Sequence, residues 1–184
     1  TIFYLTRIAA AIILIITIAG SSIYIASQTD LFYKNSWVEV STEAGQQSKV
    51  TLPDGTLVWL NAETVLKYHA TKDERIVSMD GEAYFEVTHA PDHPFIVNTD
   101  NAKVKVLGTK FNVAHYHDSR ITEASLLSGK IAMNISDQSE TFELKPGEKI
   151  SYNEEEGRIS KIETKVQNEI LWMQGILFFD NEPF

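Results

Sequence analysis

The sequence predicts a mainly β protein, an antiparallel sandwich or jelly-roll-like domain, preceded by one transmembrane helix. Three observations carry this. No charged residue falls between Arg7 and Asp30, and the stretch from Ile8 to Ala26 is almost wholly apolar. Past residue 36 the apolar residues recur with period two, as in strands whose successive side chains face opposite sides. Turn-forming Gly, Pro, Asp and Asn separate these runs at intervals of about 8–12 residues, the rhythm of closed β architectures.

The N-terminal run is read as a membrane span over 8–28, with Ile8, Ile13, Leu14, Ile16 and Ile18 among its lipid-facing anchors. About 20 apolar residues at ~1.5 Å rise cover a ~30 Å hydrocarbon core, and a signal peptide has a shorter apolar region with a cleavage site. Residues 1–7 form a flank whose only charge is Arg7, and 29–36 form a juxtamembrane linker containing Lys34. The positive-inside rule favours a cytoplasmic N-terminus. All 25 acidic residues then lie on the far side. Phe32, Tyr33 and Trp37 come just after the span, where aromatic rings favour the interface.

Residues 37–165 are read as one all-β domain. VTLPDGTLVWLNAET gives two strands around a turn at Pro53, Asp54 and Gly55, where proline presets φ and glycine accepts positive φ. In RIVSMDGEAYFEV, Asp80-Gly81 is a tight-hairpin signal. A further hairpin turns near Thr99-Asp100-Asn101, and others at Ser128-Gly129, Lys145-Pro146-Gly147 and Glu156-Gly157. Residues 166–184 begin as a short helix, end as a strand and are read as a connector. With Thr1 first and Phe184 last, the chain is expected to be an excerpt of a longer protein.

Composition excludes several functions. The formal charge is −9 with no basic stripe, which argues against nucleic-acid binding. The chain has no cysteine, hence no disulfide, thiolate metal site or thiol nucleophile. No G-x-S-x-G elbow or phosphate-cradling glycine loop occurs. Glu82, Tyr84 and Glu86 share one strand face, but two glutamates at i and i+2 are expected to be solvated. His89, Asp92 and His93 fall in a proline-bearing surface loop. The pair His115 and His117, with Glu123 beyond, resembles the metal-ligand run of a cupin. A cupin needs a third histidine, and none comes after His117. The reading is therefore of a non-enzyme with no cofactor or metal; a cupin-like metal protein using His115, His117 and Glu123 is the alternative, and a plain periplasmic binding or adhesion module is another.

Taken in order, LPDGTLVWLNAET, LKYHATKDERIVSMDGEAYFEV, HPFIVNT, VKVLGTKFNVAHY, LLSGKIAM and LKPGEK resemble the periplasmic domain of FecR-type transmembrane sigma regulators, over about Val50 to Lys149. The closing WMQGILFFDNEPF is similar to the segment that in Bacteroidetes-type members leads into a small C-terminal α/β domain. The resemblance implies an inner-membrane, single-pass protein with its bulk in the periplasm, lacking here that C-terminal domain and the cytoplasmic sigma-binding domain expected before Thr1. It implies two partners: the periplasmic signalling domain of a TonB-dependent outer-membrane transporter, and an extracytoplasmic-function sigma factor reached through the missing cytoplasmic domain. The transporter's substrates in this family are iron chelates or glycans.

The motif residues are expected to be structural. Pro53, Asp54 and Gly55 make a turn beside Trp59, and Gly81 relieves strain next to Glu82, Tyr84 and Phe85. Gly108 and Thr109 let a strand bend before Phe111, Gly129 serves the next hairpin, and the family pattern marks Tyr116 rather than its flanking histidines. Trp172, Ile176, Leu177, Phe178 and Phe179 form an apolar tail that either contacts a partner or packs on the β domain as a further strand.

Overall fold

The computed structural model describes residues 2–28, 37–136 and 140–176; within the N-terminal helix it describes the side chains of Arg7 and of residues 10–24. The chain divides into two units, residues 1–35 and 36–184. The first unit holds α1, Ile2–Gln28, in which Ile13, Leu14, Ile16 and Ile18 are exposed. Three of its described hydroxyls bond within the helix: Thr17 donates to the Leu14 carbonyl, and Ser21 and Ser22 to that of Ile18. Among the described residues no helix is long and apolar enough to cross a membrane. The described side chains of α1 run unbroken only from Ala10 to Tyr24, and that of Ile8 lies outside them.

The second unit is mainly β. Its strands are β1 Val38–Ser41, β2 Ser48–Thr51, β3 Leu57–Leu60, β4 Val65–Ala70, β5 Arg75–Glu86, β6 Phe95–Asn98 and β7 Ala102–Val106. They continue as β8 Lys110–His115, β9 Ile121–Ser128, β10 Ile131–Ile135, β11 Thr141–Leu144, β12 Glu148–Asn153 and β13 Arg158–Glu163. All 13 belong to one curled sheet with two halves. The first half runs β1-β4-β5-β6-β7-β10-β11, and the second runs β2-β3-β5-β8-β9-β12-β13. The halves share β5, whose residues 75–80 pair with β4 and whose residues 81–86 pair with β8.

Alternation explains the core. In β5 the inward side chains Val77, Met79, Ala83 and Phe85 are buried, and Phe85 stacks on Phe111 at 5.0 Å and meets Phe95 edge-on at 6.0 Å. Val58, Leu60, Val104, Val113, Leu126, Ile131 and Ile150 complete one core between the halves.

The turn at Pro53, Asp54 and Gly55 joins β2 to β3 as expected, and it also anchors the fold. Asp54 accepts from the Thr56 amide at 3.1 Å and its hydroxyl at 2.7 Å, and pairs with Arg75 at 2.9 Å. Arg75 is buried and donates further to the carbonyls of Thr88 and His93, each at 2.9 Å. One guanidinium thus fixes the first turn, the start of β5 and the crossover 87–94 that carries the chain from β5 back to β6. Because of that crossover β5 and β6 pair parallel, where an all-antiparallel sheet was expected.

Other expectations need correction. Asp80-Gly81 is no hairpin: β5 runs straight through it for 12 residues. Gly81 has φ +118°, and a Cβ there would lie 2.4 Å from Thr64 Oγ1 and 2.6 Å from Thr64 Cα. The glycine lets β5 press against Thr64 while passing from one half to the other. Thr64 Oγ1 accepts from the Glu82 amide at 3.0 Å and donates to the Glu82 carbonyl at 3.1 Å, closing the bend. Ser128-Gly129 and Lys145-Pro146-Gly147 turn the chain but make no hairpins, since β9 and β10, and likewise β11 and β12, lie in opposite halves. Gly108 and Thr109 end a strand rather than bend one. A Cβ on Gly108 would meet His89 Nδ1 at 2.5 Å, and one on Gly129 would meet Thr109 Oγ1 at 2.8 Å, so these corners cross in contact.

Gly81→Ala adds a methyl where φ is positive and Thr64 has no room. Urea unfolding should show a loss of roughly 2–4 kcal/mol. A loss below about 0.5 kcal/mol would contradict the close approach.

Candidate functional site

The feature that distinguishes this domain is the outer face of its second half, because part of it is covered. Cross-strand register sets Lys49, Trp59, Tyr84, Asn112, Ser125 and Lys149 in one row. Glu82, Ala114 and Glu123 form the neighbouring row. Trp59 lies 5.5 Å from Tyr84, and the Lys49 ammonium sits 4.4 Å above the Trp59 ring.

The cover is the segment after β13: α2, Val166–Glu169, and then a 3-10 helix, Leu171–Gln174. It packs on β9, and Val166 and Trp172 are buried beneath it. Lys149 ties it down, bridging Glu123 at 2.8 Å and Glu169 at 3.1 Å. Gln47 donates to the Trp172 carbonyl at 2.9 Å and to Asn61 Oδ1 at 3.1 Å. Trp172 is therefore buried on the β domain within a helical turn, not as a strand. Ile176 is exposed; Leu177, Phe178 and Phe179 lie outside the described residues.

Partial enclosure perturbs the charges on this face. Burial raises the pKa of Glu82; hydrogen bonds from Asn112 at 2.8 Å and Asn61 at 2.7 Å oppose the rise, and the charges of Glu169 and Glu123 add to it. The expected solvated pair of Glu82 and Glu86 is thus corrected for Glu82, which is half-buried in an amide cradle. Glu86 pairs separately with Lys110 at 3.1 Å. Burial and the Glu86 carboxylate raise Tyr84 to about 12, and burial with the Glu82 charge raises Tyr116 to about 12. Burial disfavours the Lys149 charge, but Glu123 and Glu169 more than offset it and raise its pKa. Asn61, Asn112, Gln47, Lys149 and Glu169 carry no signal of this role in the sequence. Only the folded chain, which brings them beside Glu82, Glu123 and the cover, reveals it.

The His115, His117 and Glu123 set does not converge. Glu123 stands opposite Ala114, so it projects from the outer face while His115, one residue on, is buried on the other. Among the described residues no group of three or more His, Asp and Glu side chains is placed so that it could hold a metal ion. His93 is likewise engaged, its Nε2 lying 2.9 Å from the Thr71 carbonyl.

A mainly β domain with a latched outer face is the class that fold and site define. Residues 38–132 match the family model described as FecR protein. Two crystal structures of a candidate anti-sigma factor from Parabacteroides distasonis ATCC 8503, at 2.50 and 1.65 Å resolution, share 40% identity with the chain. The first superposes with a TM-score of 0.76 over 80% of this chain and 70% of that one; the second with 0.75 over 79% and 69%. No curated protein matches. The chain belongs to the FecR family, and its solved relatives place it with regulators of sigma factors.

The latched face has two measurable consequences. With the Glu82 pKa raised, the folded chain keeps a proton over a window in which the unfolded chain has lost it. Stability from this group is therefore present at low pH and falls as pH rises through the raised value. Glu82→Gln should gain stability relative to the native chain as pH rises above the ordinary carboxylate range, read from urea midpoints; a difference that does not change with pH would contradict the shift. Trp172→Ala removes the cover's buried anchor at a cost of about 3 kcal/mol, so hydrogen exchange at Asn168, Met173 and Gly175 should accelerate roughly a hundredfold while β5 stays protected. Unchanged rates would mean that the segment is held by other contacts.

Proposed function

We propose that this protein is a single-pass inner-membrane regulator that relays a signal from a TonB-dependent outer-membrane transporter to an extracytoplasmic-function sigma factor. Residues 1–7 are its cytoplasmic flank, 8–28 its membrane span, 29–36 a linker, 37–165 the periplasmic β domain and 166–184 a connector. The sigma factor engages a cytoplasmic domain preceding Thr1, and the transporter's periplasmic signalling domain engages the β domain or the tail.

The carrying observation is the union of family membership with a charge-free apolar segment between Arg7 and Asp30. That segment extends beyond the described side chains of α1, and about 20 apolar residues suffice to span a bilayer. The latched face supports a receiving role, since a partner that engages Trp172 or Glu169 changes how the connector is held.

Affinity capture of the native full-length protein from membranes tests the reading. An extracytoplasmic-function sigma factor should co-purify, and a reporter fused after residue 36 should score as periplasmic. A soluble protein that brings down no sigma factor would favour a plain binding or adhesion module.

A further inference from the structure

We infer that the face beneath the cover is a groove for a segment of a partner protein, and that residues 166–172 fill it as the chain's own substitute for that segment. The segment it fits carries an apolar, an acidic and an aromatic residue at three-residue spacing. This deepens the receiving role proposed above and rests on it for the existence of a partner.

The cover shows which chemistry the groove accepts. Val166, Glu169 and Trp172 stand three residues apart, the spacing at which side chains of a tight helical turn line up on one side. Val166 and Trp172 are buried, and between them Glu169 reaches Lys149 at 3.1 Å. The groove meets each part of the segment. It buries the two apolar ends, and it offers an ammonium held in place by Glu123 at 2.8 Å. The Gln47 amide donates to the Trp172 carbonyl at 2.9 Å, a backbone contact that any residue type could make. With its side chain 16% exposed, Lys149 is too enclosed for its pair with Glu169 to count as an ordinary surface ion pair.

Several features make the cover replaceable. Its two helices have four residues each, too short to keep their shape without tertiary contacts, and neither starts on a side-chain cap. Trp172 Nε1 is buried without a hydrogen-bond partner, and so is Asn112 Oδ1 on the same face of the sheet. Each of these groups forfeits a bond that it makes in water. Seating Glu169 also sets another carboxylate near Glu82, whose pKa the charges of Glu169 and Glu123 both raise. A partner segment already ordered within a folded domain escapes the entropy cost that the cover bears, and so competes with it. The cover follows β13 directly, so among the described residues its release breaks no strand pairing and frees the connector alone.

A fluorescent peptide with the sequence of residues 164–176, followed by anisotropy against the full chain, tests the groove without sigma factor or transporter. Its failure therefore leaves sigma-factor capture unaffected, and a failed capture leaves the groove standing. The peptide should bind the Trp172→Ala chain at least tenfold more tightly than the native chain, whose groove is free only while the cover is lifted. Glu169→Gln in the chain leaves the core untouched and should tighten binding by a smaller factor. Lys149→Gln added to Trp172→Ala should weaken binding roughly tenfold or more. A peptide that keeps only the valine, glutamate and tryptophan in an alanine background should bind within about tenfold of its parent, and moving its tryptophan by one position should abolish binding. At saturating peptide, hydrogen exchange at Asn168, Met173 and Gly175 of the native chain should accelerate while β5 stays protected. Equal affinity for the native and both cover-weakened chains, binding indifferent to Lys149→Gln or to the position of the tryptophan, no binding by the alanine-background peptide, or unchanged exchange at saturation would each overturn the assignment. So would the absence of binding to every chain whose β5 remains protected.

Discussion

The fold depends on β5 being one strand rather than two. Its first residues complete one half of the sheet and its last complete the other, so every other strand takes its place from it. Two local devices hold it. Arg75 at its start gathers the Asp54 carboxylate and the carbonyls of Thr88 and His93, and a buried pair of this kind costs about 3–5 kcal/mol when one partner is lost. Gly81 at its middle removes the side chain that would collide with Thr64. With both in place, the core rings of Phe85, Phe95 and Phe111 come from three strands and meet at one point.

The same continuity gives the domain a route between its ends. The cavity beside His115 lies at the bend of β5, where the His117 amide is bonded to Asp80. Glu82, two residues on, faces outward toward Asn61, Asn112 and the latched cover. A contact that lifts the cover re-solvates Glu82 and frees Lys149 from Glu169, and both changes fall on strands that β5 joins directly or through β8 and β9. In the proposed relay, this coupling lets an event at the connector be felt across the domain.

Much of the fold is legible in the sequence because its cause is local. Alternation after residue 36 marks the strands, Pro53 to Gly55 and Glu156-Gly157 mark true hairpin turns, and the family motifs occur in order. The misreadings have non-local causes. Asp80-Gly81 carries the chemistry of a tight turn, yet its glycine answers to Thr64 on another strand, which no local signal reveals. Ser128-Gly129 reads as a hairpin, but the next strand pairs with β7 across the core. Glu82 shows the correct face in the sequence and hides its burial, because the cover comes from residues more than eighty positions later. His115 and Glu123 look like partners by spacing, and only the register, with Ala114 opposite Glu123, places them on opposite faces.

Native-state hydrogen exchange along β5 tests most directly whether a single strand unites the domain. The amides of residues 75–80 and 81–86 should open with one common free energy, close to that of global unfolding, and should shift together when urea is added. Two separate free energies, with one half of β5 exchanging at least tenfold faster than the other, would mean that the halves of the sheet fold independently and that β5 does not couple them.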